Sequence, residues 1–138
     1  MTMKFDHVGV AVKSVDQMLA IYSKIGDFQV KKTEVPGQKA KIAMLAVGET
    51  SVEFLEPTSE DSTLAKFIRE RGEGLHHIAF EVEDIEKATE ELKGRGFRFI
   101  YDKPADGKFG SRVNFIHPKS TGGVLVELTQ NAKGRTPL

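Results

Sequence analysis

Two histidines and two glutamates stand on predicted strands, where their side chains could hold a metal ion. They are His7 in FDHVGVAV, His77 in LHHIAFEV, Glu53 in SVEFLEP and Glu127 in LVELTQ. A carboxylate that interrupts an apolar strand is costly to bury unless it is paired or binds a metal. Two imidazoles and two carboxylates suit a borderline divalent ion such as cobalt, nickel, zinc or manganese.

An internal repeat relates the four residues. Residues 5–26 align with 75–96 at a constant offset of 70, which puts His7 on His77. A second match aligns Glu53 with Glu127 at an offset of 74. A lone strand histidine is usually a hydrogen-bonded structural residue, and a lone strand glutamate usually faces solvent. Because all four occur in repeat-matched pairs, in the same order in each half, the sequence favours one shared metal site.

The alternation of side chains along a strand predicts which face each histidine occupies. His7 shares its face with Gly9 and Ala11, and His77 shares its face with Ala79. The opposite faces carry the larger apolar residues of the same strands, which we expect to pack on helices. Small neighbours on the histidine face leave room for a ligand.

Each half of the chain is predicted to form a strand, a helix and three further strands. The fold class is therefore α+β, with two tandem βαβββ modules forming a curved, cupped mixed sheet with helices outside. We expect one domain over residues 1–138, with module one at about 4–57, a linker helix at about 60–72 and module two at about 74–130. The predicted strands are 5–12, 28–34, 40–47, 51–56, 75–82, 97–101, 111–117 and 123–129, and the predicted module helices are 15–25 and 85–94. The polar tail from residue 131 on is expected to fray.

Composition excludes several classes of function. Lysine plus arginine and aspartate plus glutamate each number 20, so the chain lacks the basic excess that nucleic-acid or anionic-membrane binding needs. There is no cysteine, which excludes thiolate catalysis and a cysteine-built zinc site. No apolar run approaches a membrane span, and the first residues do not read as a secretory signal. We expect a cytoplasmic protein.

Other polar residues carry less weight. His76 lies on the same face of its predicted strand as Ile78 and Phe80, so we expect it to be packed or at the rim. His117 precedes a proline at a strand end, where a turn role is expected rather than metal binding. Lys119 and Ser120 could hold an anionic group or lie in a solvated turn. The segment 105–110, ADGKFG, lacks the spacing of a phosphate-binding loop and is predicted to form a mobile lid or a hairpin.

Several motifs, DHVGVAV, EFLEPTSEDSTLAKFI, GEGLHHIAFEV and FIHPKSTGGVLVEL, together with the duplication, resemble the methylmalonyl-CoA epimerases. These enzymes belong to the vicinal oxygen chelate superfamily, which includes glyoxalase and bleomycin resistance proteins. The resemblance covers about residues 4–130. It implies the vicinal oxygen chelate fold, a divalent metal ion (Co, or Zn, Ni or Mn) bound by the four residues named above, an acyl-CoA substrate and a homodimer. Some members have glutamine at the position of Glu53, and some have a proton-transferring glutamate where this chain has Ile42.

The implied reaction interconverts (R)- and (S)-methylmalonyl-CoA through a metal-stabilised enolate. It needs a base on each face of the α-carbon, and we expect Glu53 and Glu127 to serve, with Glu127 the principal one. The first alternative is a glyoxalase I-type lactoylglutathione lyase, which uses the same metal. The second is a metal-free small-molecule binding module of the same fold. A ring-cleaving dioxygenase is less favoured, because it needs two histidines, one carboxylate and open positions.

Overall fold

A computed structural model describes residues 1–133 of the chain. This part contains eight strands: β1 (Lys4–Ala11), β2 (Val30–Val35), β3 (Ala40–Val47), β4 (Thr50–Pro57), β5 (Gly74–Glu81), β6 (Ala105–Asp106), β7 (Arg112–Ile116) and β8 (Val126–Gln130). Its three α-helices are α1 (Val15–Tyr22), α2 (Thr63–Arg71) and α3 (Ile85–Gly94). Short 3₁₀ turns cover Pro36–Gln38, Lys108–Gly110 and Pro118–Ser120. The order of elements confirms the α+β class and the two βαβββ modules.

The described residues divide into two compact units. Unit 1 comprises Met1–His7 and the described residues from His77 onward, and unit 2 comprises Val8–His76. Strands β1 and β5 therefore contribute residues to both units.

In unit 2 the strands β2, β3 and β4 are antiparallel, and β1 follows β4. Helix α1 begins after Ser14, whose side chain accepts a hydrogen bond from the backbone N–H of Gln17 and so satisfies a donor of the first turn. The apolar face of α1 packs on the sheet. The buried core of this unit consists of Val12, Val15, Ala43, Leu45 and Phe54.

In unit 1 the strand order is β1, β5, β8, β7, β6, with β5 parallel to β8 and the remaining described pairs antiparallel. Helix α3 begins after Asp84, whose carboxylate accepts from the N–H of Lys87. One face of the sheet packs on this helix. The core consists of Val82, Ile85, Ala88, Leu92, Ile116 and Leu128.

The strand predicted at 97–101 is wrong. Only Phe99 forms a bridge, to Ile116 of β7. Side chains take two backbone donors that a further strand would use: the N–H of Arg98 donates to Ser120 Oγ and the N–H of Tyr101 donates to Asn114 Oδ1. The segment that pairs with β7 as a regular strand is β6, so the hairpin predicted at 105–110 is confirmed.

The helix boundaries also differ in places. Helix α1 ends at Tyr22 rather than near residue 25. The next N–H groups, of Lys24 and Ile25, donate to carbonyls only three residues earlier, as in a 3₁₀ helix. Helix α2 begins at Thr63 rather than near residue 60, because the Ser62 side chain caps its first turn by accepting from the N–H of Ala65. Within the described part of the chain, no helix has the length and apolar character to cross a membrane. The tail was predicted to fray from residue 131 on, but Asn131 at its start donates a hydrogen bond to Asp6, and residues 134–138 lie outside the described part of the chain.

Candidate metal centre

Strands β5 and β8 bring His77 and Glu127 to one face of the sheet in unit 1. Ala79 pairs with Glu127 in the parallel register, and His77 precedes Ala79 by two residues, so all three side chains point to the same side. Phe115 of β7 pairs directly with Glu127 and stands edge-on to the His77 ring, with 6.0 Å between the ring centroids. Alternation predicted that His77 and Ala79 share a face of β5, and the parallel register with β8 adds Glu127 to that face.

The ring of His7, the third predicted ligand in this unit, lies next to the side chains of His77 and Glu127. His7 Nε2 lies 3.0 Å from His77 Nε2, and Glu127 presents one oxygen 3.3 Å from His77 Nε2 and the other 3.8 Å from His7 Nε2. The donor atoms of the three residues lie within 4.8 Å of one another, and all three residues are buried. Two imidazoles and a carboxylate from separate strands thus converge on one point.

The spacing of these atoms fits a bound divalent ion. Two ligands at right angles, each about 2.1 Å from an ion, lie about 3.0 Å apart, which matches the separation of the two Nε2 atoms. Neutral imidazole nitrogen and carboxylate oxygen are donors that borderline divalent ions accept. His7, His77 and Glu127 are therefore suitable to hold such an ion.

Asp6 and Asn131 fix the orientation of the His7 ring. The Nδ1–H of His7 donates to Asp6 Oδ2 at 2.6 Å, and Asn131 Nδ2 donates to Asp6 Oδ1 at 2.9 Å. With Nδ1 facing Asp6, the His7 ring turns its Nε2 toward His77. A carboxylate behind a metal-binding histidine is a common outer partner that sets the tautomer and raises the basicity of the ring.

Both carboxylates of this cluster are held in the ionised form. Burial raises the pKa of Glu127, but the hydrogen bond with His77 and the charges of His7, His77 and Lys108 outweigh it and hold the pKa below its usual value. Burial also raises the pKa of Asp6, and the hydrogen bonds from His7 and Asn131 outweigh it, so that this pKa too is well below its usual range. Glu127 can therefore bind a cation or accept a proton at neutral pH.

The fourth predicted ligand, Glu53, belongs to unit 2, whereas the other three predicted ligands all belong to unit 1. Glu53 is 1% exposed, and its Oε2 accepts a hydrogen bond from Ser51 Oγ at 3.3 Å. It pairs with Met44 of β3, and Ile42, two residues away, is buried on the same face. Ile42 is thus a buried apolar residue beside Met44 and Glu53.

The remaining histidines and the turn after β7 have structural contacts. The ring of His76 stands edge-on to Phe67, at 4.8 Å between centroids. His117 Nδ1 accepts from the backbone N–H of Lys119, as the turn role predicted. Ser120 Oγ is engaged by the N–H of Arg98.

Sequence reasoning missed three residues that act on this cluster, Asp6, Asn131 and Lys108. Asp6 was passed over because alternation assigns it to the opposite face from His7, and Asn131 because it follows the last predicted strand. Lys108 lies in the segment that was predicted only as a lid or hairpin. The signal for Asp6 was available in principle: it directly precedes a candidate ligand and is itself an acid in a predicted strand.

Comparison with known proteins identifies the family. The family model of the Glyoxalase/Bleomycin resistance protein/Dioxygenase superfamily matches residues 6–115 of this chain. The chain belongs to this superfamily. Within it, the chain is 35% identical to the mitochondrial methylmalonyl-CoA epimerase of Homo sapiens over 129 residues, which cover 92% of this chain and 73% of the relative.

Two bacterial proteins give the same result. The ethylmalonyl-CoA/methylmalonyl-CoA epimerase of Cereibacter sphaeroides is 34% identical over 130 residues, covering 92% of this chain and 97% of the relative. A solved structure of a variant of the Streptomyces coelicolor methylmalonyl-CoA epimerase, in complex with 2-nitronate-propionyl-CoA, matches with a TM-score of 0.90 and 36% identity. It covers 94% of this chain and 97% of that chain. The resemblance to this branch of the superfamily, inferred from the sequence motifs, is confirmed.

Proposed function

We propose that this chain is a metal-dependent epimerase that interconverts (R)- and (S)-methylmalonyl-CoA. The observation that carries the proposal is the convergence of His7, His77 and Glu127 in a chain whose relatives, at 34% and 35% identity, are epimerases of this substrate class. The solved epimerase with bound 2-nitronate-propionyl-CoA supports an acyl-CoA thioester as the substrate.

His7, His77 and Glu127 are the proposed ligands of unit 1. A divalent ion bound there supplies Lewis-acid stabilisation of the negative charge that a thioester oxygen gains when the neighbouring α-proton leaves. The protein's own contribution is to bury the three donors and to orient the His7 ring through Asp6. Burial also excludes water, so each charge interaction in the site is stronger than it would be in solvent.

Glu127 is the proposed principal base. Its lowered pKa keeps the carboxylate ionised, so it can take the α-proton from one face of the substrate and return it. Inversion needs a second group on the opposite face, and we propose Glu53 for this role and as the fourth ligand. The support for Glu53 is its repeat relationship to Glu127 and its burial, at 1% exposure, between the apolar Val52 and Phe54.

The test is a pair of assays on the same metal-loaded preparation. One follows epimerisation of methylmalonyl-CoA, and the other follows conversion of methylglyoxal plus glutathione, the reaction of the alternative lactoylglutathione lyase. The proposal predicts turnover in the first assay alone. Turnover only in the second would replace the proposal with the lyase, and turnover in neither, without bound metal on elemental analysis, would favour the metal-free binding module.

Three finer features also stay proposals. They are cobalt as the preferred ion over zinc, nickel or manganese, a homodimeric assembly and a cytoplasmic location. The ligand chemistry supports a borderline divalent ion without choosing among these four. Reconstitution with single ions would rank the metals, and sedimentation equilibrium would give the assembly state.

A further inference from the structure

Glu127 has a neighbour on its own face of the sheet on each adjoining strand. Ala79 of β5 pairs with it on one side, and Phe115 of β7 pairs with it on the other. In an antiparallel pair, directly opposed residues carry their Cβ atoms about 4.5–5.5 Å apart. The side chain of Phe115 therefore starts immediately beside that of Glu127 and points to the same side of the sheet.

Phe115 differs from the residues around it because part of its side chain is exposed. Ala79, Glu127 and His77 are all buried, whereas Phe115 is partly exposed. Its ring stands edge-on to the His77 ring, at 6.0 Å between centroids and with 87° between the ring planes. Of the two residues that pair with Glu127, Phe115 is thus the one that offers apolar surface to a ligand at the candidate metal centre.

A second aromatic ring restricts the movement of Phe115. The ring of Tyr101 stands edge-on to it, at 5.9 Å between centroids. The backbone of Tyr101 is fixed by Asn114, because its N–H donates to Asn114 Oδ1 at 3.2 Å and its carbonyl accepts from Asn114 Nδ2 at 3.1 Å. Asn114 is 0% exposed, so water does not compete for these two hydrogen bonds. Phe115 is therefore a fixed aromatic wall beside Glu127.

The chemistry of the substrate gives this wall a role. The α-carbon of a malonyl thioester bears a hydrogen, a thioester, a carboxylate and an alkyl group. Glu127 is proposed to remove the hydrogen, so the alkyl group on the same carbon lies close to Glu127 during the reaction. It is the apolar substituent of that carbon, and contact with an apolar surface that removes it from water is favourable. We propose that Phe115 contacts this alkyl group and limits its size. The inference rests on the proposed function and extends it by naming a residue that distinguishes malonyl thioesters by their α-alkyl group.

The test compares two substrates that differ by one methylene in that alkyl group. The kcat/KM for epimerisation of methylmalonyl-CoA and of ethylmalonyl-CoA is measured on the metal-loaded wild type and on Phe115→Leu, Phe115→Met and Phe115→Trp. Phe80→Leu is the matched control, because Phe80 is also partly exposed but pairs with Leu128 on the opposite face of the sheet from Glu127. One methylene in an apolar pocket is worth about 10- to 200-fold in discrimination between substrates.

We expect the wild type and Phe80→Leu to share one ratio of the two kcat/KM values, with methylmalonyl-CoA preferred. Phe115→Leu and Phe115→Met should shift the ratio toward ethylmalonyl-CoA by about tenfold or more, because they open space beside Glu127, and Phe115→Trp should shift it the other way. An equal loss of both activities in the Phe115 variants would mean a structural role and overturn the inference. An unchanged ratio in active variants would overturn it as well, with the proposed function intact. A wild type that epimerises neither substrate would overturn the proposed function and the role of Phe115 together.

Discussion

Asp6 and His7 are consecutive residues of one strand, yet the Asp6 carboxylate reaches round to the Nδ1 of the His7 ring at 2.6 Å. The opposite ring nitrogen lies 3.0 Å from His77 Nε2. A chain of contacts therefore runs from Asn131 through the buried Asp6 carboxylate and the His7 ring to His77 in the candidate metal centre. This relationship sets the tautomer of His7 and with it the direction of one proposed ligand lone pair.

Replacing Asp6 by asparagine should weaken metal binding by about 10- to 100-fold, the usual cost of removing an outer partner of a ligand. The variant keeps the size of the side chain and loses the charge that raises the basicity of His7. Competition with a chromophoric chelator measures the affinity. Asp102→Asn, whose side chain is 94% exposed, is the control and should bind the ion as the wild type does. Equal affinities of Asp6→Asn and wild type would show that Asp6 does not act on the metal centre.

Asp6 should also make the free energy of unfolding of the metal-free protein depend on pH in the acid range. The pKa of Asp6 is lower in the folded chain than its ordinary value of 3.8, so its ionised form favours folding. That contribution is fully present above about pH 4 and is lost as the pH falls through the folded-state pKa. Urea unfolding of wild type and Asp6→Asn should therefore give curves whose difference shrinks below about pH 4. A difference that grows with acidification would contradict the assignment.

Two adjacent histidines allow a controlled test of the ligand set. His77 faces Glu127, whereas His76 contacts Phe67 on the other side of the strand. His77→Gln should lose measurable binding of one divalent ion per chain, and His76→Gln should retain it. Elemental analysis after dialysis against a single metal gives the stoichiometry. Retention of the ion by both variants would remove His77 from the proposed set.

Replacing Glu127 and replacing Glu53 should have different effects on proton exchange at the substrate α-carbon. Glu127→Gln should slow solvent deuterium entry at the α-carbon by about 10²- to 10⁴-fold, the usual contribution of a positioned base. Glu53→Gln should instead slow inversion while one epimer still exchanges its proton through Glu127. Glu83→Gln, at an exposed position, is the control. Normal exchange and inversion in both variants, with the ion retained, would exclude the carboxylates from the chemistry.

Much of the candidate site could be predicted from the sequence because the module is duplicated. The repeat pairs His7 with His77 and Glu53 with Glu127, and strand alternation assigns a face to each side chain. The convergence of His77 and Glu127 also needs the parallel pairing of β5 with β8, which the sequence pattern does not give. The role of Asp6 could not be derived in this way, because alternation describes where a side chain starts and not how far a short carboxylate bends around the backbone. Lys108 was missed for a different reason: a lysine in a turn is ordinarily exposed, and its burial here could not be derived from the local sequence.

The fold was predictable where local and tertiary preferences agree. Helix α3 has its capping Asp84 and its apolar stripe, and its predicted bounds of 85–94 are the observed ones. The segment 97–101 is β-rich in composition, but the Ser120 hydroxyl and the Asn114 amide take its backbone donors. These side chains are distant in sequence, and the local pattern therefore could not exclude a regular strand.

The most direct test of the account is to strip the protein of metal and measure methylmalonyl-CoA epimerisation before and after single divalent ions are returned. The account predicts that the stripped protein is inactive, that at least one borderline ion restores turnover, and that His77→Gln is not restored under the same conditions. Full activity of the stripped protein, or restoration of His77→Gln to the wild-type rate, would contradict the claim that these residues hold an ion that the reaction requires.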